Sequence, residues 1–324
     1  MGRRKDLQPL KSGQLAGRLP VGFGGGAVGF GDTAASSDDP LASELQQHLK
    51  RLSKKSPTTK LKALGDLQSL VHDGTQDAVT RCIIALPQWC RLYVKLANDD
   101  TVQVREAAHK LMGRVASVVQ SELEPYVPSV LARWWMAQYD PRAEARRAAQ
   151  STLAATFPGR RINKALRLCR KRLFAELLEV FKSSPQTVVD AKAVEGIDVA
   201  KEMYERQVRC ALYGLGGFIE RLVEVGKLDD DTQTDVEALL TSVWRLGTSK
   251  YPQIRLGYFA LVPVLCQHML PSVERNLPRV APTVLGAAND GTSHNYAVIW
   301  TAMLHVCKAI PGAWVNGVGF ETCA

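Results

Sequence analysis

The stretch Val104-Arg105-Glu106-Ala107-Ala108-His109-Lys110-Leu111 decides how this chain is read, because Arg146-Arg147-Ala148-Ala149 repeats its Arg-x-Ala-Ala core 41 positions later. An acidic turn precedes each copy, Asn98-Asp99-Asp100 in the first and Tyr139-Asp140-Pro141 in the second. Before each turn lies an apolar stretch ending in aromatics, Trp89 and Tyr93 in one, Trp134 and Trp135 in the other. The unit is therefore a helix, a short Asp-containing turn, and a second helix with an Arg near its start. One such hairpin cannot bury its apolar stripe alone, whereas stacked copies bury a continuous core.

Helical hairpins repeating every ~40–47 residues are the signature of HEAT- and ARM-like arrays. The expected fold is accordingly all-α, an α-solenoid. Upstream, Thr58-Thr59-Lys60-Leu61-Lys62-Ala63-Leu64 aligns with the first copy at an offset of 44. Downstream, Ile254-Arg255-Leu256-Gly257 resumes the pattern after Lys250-Tyr251-Pro252, 109 residues beyond Arg146, so irregular helix pairs are expected between. Arg105 and Arg146, close behind Asp99 and Asp140, are expected to bond the turn carbonyls or carboxylates, a structural role. Trp134 and Trp135 are adjacent and cannot both face one core, so one of them is expected to be partly exposed.

Outward from the repeats the chain divides into zones. Residues 1–40 form a Gly-rich basic tail, read as flexible because each Gly costs a helix about 1 kcal/mol relative to Ala. Helical repeats are expected over 41–182, a connector with Pro185 and Gly196 over 183–197, further repeats over 198–315, and an irregular end or truncation over 316–324. With 324 residues, 46% hydrophobic and 23% charged, the chain has the means to build a large core. It holds no apolar run of the ~18 residues that a membrane helix needs and no signal-peptide core, so no membrane partner is expected. Seven scattered cysteines with no CxxC pair read as reduced thiols, hence a cytosolic setting.

Charge is the second informative feature. The net charge is +9, and from Arg142 to Arg172 ten positive residues face one negative, Glu144. A helix is expected from near Arg161, with Ile162, Leu166, Cys169, Leu173 and Leu177 on an apolar face and Arg160, Lys164, Arg167 and Lys171 down another. Such a stripe is either a solvated helix face or a footprint for phosphates. A second run, Lys50-Arg51-Leu52-Ser53-Lys54-Lys55-Ser56-Pro57, is broken by Pro57 into a helix end and a new helix start, with Ser56 or Thr58 as cap. Lys54, Lys55, Lys60 and Lys62 therefore sit near one inter-helix turn, and Arg3, Arg4 and Lys5 add charge in the tail. Three basic clusters point to RNA or another polyanion.

Catalytic constellations are missing from the sequence: there is no phosphate loop, no GxSxG and no HExxH, and the six histidines are dispersed. No catalytic residue, cofactor or metal site is expected in this chain.

Several of these motifs together resemble one family. Gly22-Phe23-Gly24, Gly29-Phe30-Gly31, Leu49-Lys50-Arg51-Leu52-Ser53-Lys54-Lys55, Thr58-Thr59-Lys60-Leu61-Lys62-Ala63-Leu64, Val104-Arg105-Glu106-Ala107 and Trp135-Met136-Ala137-Gln138-Tyr139-Asp140 are similar to the N-terminal portion of the listerin family of RING-type E3 ubiquitin ligases. The likeness covers most of residues 20–160 and thins thereafter, with Ile310-Pro311-Gly312-Ala313-Trp314 resembling a later segment. The resemblance implies ribosome-associated quality control: docking on the large (60S) ribosomal subunit beside a nascent-chain-sensing partner, and ubiquitination of the stalled chain. In the family a C-terminal zinc-binding RING recruits the ubiquitin-conjugating enzyme. Without CxxC pairs this chain holds no RING and is expected to dock without catalysing. Lys50, Arg51, Lys54, Lys55, Lys60 and Lys62 are the candidate contacts to ribosomal RNA or the partner, and the Arg160–Lys171 stripe is a secondary surface. The competing reading is a protein-only scaffold or importin-like adaptor, which would need an acidic inner face for basic cargo.

Overall fold

A computed structural model describes residues 40–72, 75–188, 196–226, 228–289 and 296–313. The tail with Arg3, Arg4 and Lys5, residues 189–195 of the connector and the 316–324 end lie outside the described residues. Among the described residues every regular element is helical. The first helices are α1 (Pro40–Arg51), α2 (Pro57–His72), α3 (Gln76–Leu96), α4 (Val102–Val119), α5 (Val127–Ala137) and α6 (Ala143–Thr156). Then follow α7 (Arg161–Leu168), α8 (Arg170–Lys182), the single turn α9 (Pro185–Val188), α10 (Ile197–Val223) and α11 (Asp230–Val243). The last are α12 (Pro252–His268), α13 (Leu270–Arg275), α14 (Leu277–Gly286) and α15 (Tyr296–Ala309).

Stacking follows chain order, as a solenoid-like array requires. α2, α4 and α6 pack side by side in one row, and α1, α3, α5, α8 and α11 continue a second row beside it. α10 lies against α5 and α8 and starts a further row with α12 and α15. The 3.6-residue period explains which side chains turn inward: Val104, Ala108, Leu111, Met112 and Val115 of α4 are buried. Truncating one such Leu to Ala costs ~2–5 kcal/mol. Small residues set the closest approaches. A Cβ on Gly113 of α4 would meet Thr152 Cγ2 of α6 at 2.5 Å, and one on Gly217 of α10 would run into the Tyr139 hydroxyl.

Local signals place the helix starts. Ser56 Oγ accepts from Thr59 N at 3.4 Å with Pro57 opening α2, and Asp229 Oδ1 accepts from Thr232 N at 2.8 Å ahead of α11. The helix expected from Arg161 through Leu177 is two helices, because the backbone leaves helical geometry at Cys169. Its apolar face nevertheless continues across the break, with Ile162, Leu166, Cys169, Leu173 and Leu177 all buried. The expectation for the tryptophan pair is corrected as well: Trp134 and Trp135 are 0% and 5% exposed. α5 is covered on two sides. Trp134 turns toward α6, its Nε1 donating to Thr152 Oγ1 at 3.2 Å, while Trp135 turns toward α10 and donates to the Gly214 carbonyl at 2.8 Å.

Candidate docking surface

The turns that carry the repeat are also what position the basic surface. Arg105 Nη1 donates to the carbonyls of Asp99 and Asp100 at 2.8 and 3.0 Å. Its Nε and Nη2 reach across to the next turn, donating to the two carboxylate oxygens of Asp140 at 2.8 and 3.2 Å. Arg146 Nη1 repeats the local half of this pattern on the Asp140 and Pro141 carbonyls at 2.9 and 3.3 Å, and Arg255 Nη1 donates to Ser249 O at 2.8 Å. Asp140 in turn accepts from Arg142 N at 2.8 Å, and Asp99 from Thr101 N at 3.0 Å. Each Arg thus ties off carbonyls that the helix end leaves unpaired.

Arg206 of α10, which the repeat pattern does not point to, enters this ladder from the third row. Its Nη2 donates to the Asn98 and Asp99 carbonyls at 2.9 and 3.1 Å, and its Nη1 lies 3.6 Å from Asp140 Oδ2. Burial holds its pKa below the usual guanidinium value. His109 sits beside the same cluster, fully buried, with Nδ1 3.0 Å from the Tyr93 hydroxyl. Burial pushes its pKa down to about 4, the Asp140 carboxylate opposing and the Arg105 and Arg206 charges adding to the effect.

Around this frame the structure sorts the basic residues. Lys54 and Lys55 are exposed in the turn between α1 and α2, held by Lys54 N donating to Arg51 O at 3.1 Å. Lys60 is drawn inward and pairs with Asp99 at 2.6 Å, the burial of that carboxyl raising its pKa. Lys54, Lys55 and Lys60 line one groove of ≈ 830 Å³, where Lys95 of α3, Lys182 of α8 and Arg133 of α5 join them. Lys50, Arg51 and Lys62 are exposed but do not line that groove. The lining carries six cationic residues against three carboxylates, Asp99, Asp100 and Glu179.

The Arg142–Arg172 concentration is thinner in space than in sequence. Arg170 turns inward onto Asp229 at 3.1 Å and Asp235 at 2.9 Å, Arg172 pairs with Glu176 at 2.9 Å, Arg142 lies 3.7 Å from Glu202, and Arg146 holds its turn. The stripe Arg160, Lys164, Arg167 and Lys171 reaches solvent, as do Arg147 and Arg161, with Leu168 protruding among them at 76% exposure. A second cleft, of ≈ 970 Å³, opens where the starts of α4, α6, α10 and α12 meet, and its lining is mixed, with the carboxylates Asp100, Glu106, Glu144, Asp198, Glu202 and Glu205 among Arg105, Arg142, Lys201, Arg206 and Arg209. Burial and the nearby Glu202 carboxylate raise the Glu205 pKa. Among the described residues no group of His, Cys, Asp and Glu is arranged to hold a metal, and no helix is long and apolar enough to cross a membrane.

Residues 37–322 match the family described as E3 ubiquitin-protein ligase listerin, N-terminal domain. The chain belongs to that family. Listerin of Mus musculus is 28% identical over 97% of the chain, listerin of Gallus gallus 26% over 97%, and listerin of Saccharomyces cerevisiae 22% over 83%. The chain spans 18% of the length of the mouse and chicken listerins. The match runs well past residue 160, where the motif-level likeness thins, to residue 322. Two engineered proteins of known structure overlay on 82% of the chain, and on 99% and 97% of their own, at 13% and 12% identity, with TM-scores of 0.41 and 0.35, too loose to inform the fold.

Lys95, Lys182 and Arg133 escaped the sequence reading because they are scattered over three helices, and only stacking brings them beside Lys54. Arg206 escaped because its acceptors lie more than 100 positions earlier, at separations of 107 and 108.

Proposed function

We propose that this chain is the ribosome-docking module of a listerin-type E3 ubiquitin ligase, binding the large (60S) ribosomal subunit during ribosome-associated quality control in the cytosol. The observation that carries the reading is membership of the listerin N-terminal family over nearly the whole chain. The exposed lysines of the α1–α2 turn and the α7–α8 stripe fit it, since a ribosomal subunit is a polyanion and each phosphate contact releases condensed counterions. In this reading a nascent-chain-sensing partner binds alongside. Ubiquitin transfer to the stalled chain, through a zinc-binding RING and a ubiquitin-conjugating enzyme, belongs to parts of listerin other than this chain.

The test is co-sedimentation of Lys54→Glu/Lys55→Glu with purified large subunits. Weaker binding with a shallower salt dependence is expected, while unchanged co-sedimentation removes the α1–α2 turn from the contact.

A second reading, an adaptor for basic protein segments, draws on one observation, the exposed carboxylate Glu202 and its neighbour Glu205 in the mixed-charge second cleft. Binding of a labelled oligo-arginine peptide, abolished by Glu202→Lys/Glu205→Lys with co-sedimentation intact, would favour it.

A further inference from the structure

The groove between the α1–α2 turn, the end of α3 and the end of α8 has a lining that specifies more than a polyanion. Its ≈ 830 Å³ falls within the ~300–1,000 Å³ range of ligand clefts. At the rim, Lys54, Lys95 and Lys182 are exposed and make no ion pair among the described residues. The floor is aliphatic: Leu92, Val94 and Met203 are half-buried above the fully covered Leu52, Leu96 and Val180. In the wall, Arg133 Nη2 holds Glu176 Oε2 at 3.0 Å, whereas its buried Nε has no hydrogen-bond acceptor.

These features separate the candidate occupants. An RNA strand would satisfy the lysines, yet no aromatic residue lines the groove, so bases have no stacking platform and the aliphatic floor is wasted. A small anion would pair with a rim lysine and leave the floor unused. A peptide with carboxylates at its edges and an aliphatic side chain at its centre meets both the rim lysines and the floor, and the six cations of the lining outnumber Asp99, Asp100 and Glu179. An apolar anchor in a pocket, surrounded by complementary charge, is the usual division between affinity and specificity at protein interfaces.

We propose that this groove binds an acidic, aliphatic peptide segment of a partner protein. Carboxylates of the segment face Lys54, Lys95 and Lys182, and an aliphatic side chain packs over Leu92, Val94 and Met203. The inference deepens the docking reading and rests on it in treating this end of the array as a contact surface.

Selection of a phage-displayed random dodecapeptide library on the whole chain tests the proposal, with the Lys54→Glu/Lys182→Glu variant as counter-target. Both lysines are exposed, so a thermal melt of the variant should match that of the parent. Enrichment of peptides rich in Asp and Glu around Leu, Ile, Val or Met is expected. In fluorescence anisotropy a labelled enriched peptide should bind at least tenfold more weakly to the variant, and Met203→Asp, which alters the floor and not the rim, should weaken it comparably. The proposal is overturned if no acidic sequences enrich over the variant, if exchanging the aliphatic residues for Ser leaves affinity unchanged, or if a single-stranded 12-nucleotide RNA displaces the peptide with the same lysine dependence. Large-subunit co-sedimentation of the parent chain and of Met203→Asp, which leaves every lysine in place, keeps the readings apart. A parent chain that docks but enriches no acidic peptide removes this inference alone, and one that binds the peptide but does not co-sediment removes only the docking reading.

Discussion

His109 makes the stability of this fold pH-dependent in a window fixed by its burial. The unfolded side chain titrates near 6.5, while in the folded state burial pushes the pKa down to about 4. Above pH 6.5 the imidazole is neutral in both states and contributes nothing to pH dependence. As pH falls, the unfolded chain takes up a proton that the folded chain refuses, so stability drops until the folded pKa is reached. Between pH 7.5 and pH 4.5 the shift corresponds to a loss of about 2–3 kcal/mol, out of a total of ~5–15 kcal/mol for a typical domain. The groups around the ring fit this sign: Arg105 and Arg206 oppose its protonation, Asp140 favours it, and the Tyr93 hydroxyl is uncharged near its Nδ1. Urea denaturation of the parent and of His109→Gln at the two pH values isolates the effect, because other titrating groups and any packing defect cancel in the comparison. The variant should lose about 2–3 kcal/mol less than the parent on acidification. Parallel losses in the two proteins would refute the reasoning.

Removing Asp140 leaves Arg105 and Arg206 buried without their carboxylate, so Asp140→Ala should lower stability by about 3–5 kcal/mol in equilibrium unfolding. Arg146→Ala, which loses only exchangeable carbonyl bonds at a half-buried site, should cost about 1–2 kcal/mol in the same assay. Gly113→Val places side-chain atoms on Thr152 at the α4–α6 contact and should cost at least ~1–3 kcal/mol, with partial recovery in Gly113→Ala/Thr152→Ala. Gln120 ends α4 at φ 47 and ψ −115, a conformation that L side chains rarely adopt, so Gln120→Gly should raise the melting free energy by about 1 kcal/mol.

The repeat was legible because its signal is local and doubled: an Asp turn followed by an Arg on the next helix announces both the helix boundary and the bond that secures it. Arg105 and Arg146 were placed by that logic alone. What the sequence withheld are relations between rows. Periodicity says that α5 has an apolar face, but not that α10 covers a second one, which is why both Trp134 and Trp135 are buried. Charge counting likewise registers ten cations between Arg142 and Arg172 without revealing that Arg170 turns into the acidic start of α11 or that Arg172 pairs along its own helix. The second cleft was hidden for the same reason. Its carboxylates are dispersed through the chain, mostly near helix starts, where they also complement the helix dipole, and the net charge of +9 masks them.

The most direct test of the docking account is co-sedimentation of the purified chain with isolated large and small ribosomal subunits across a salt titration. The account predicts binding to the large subunit in preference to the small one, weakening log-linearly as salt rises. Equal retention on both subunits, or none at low salt, would contradict it.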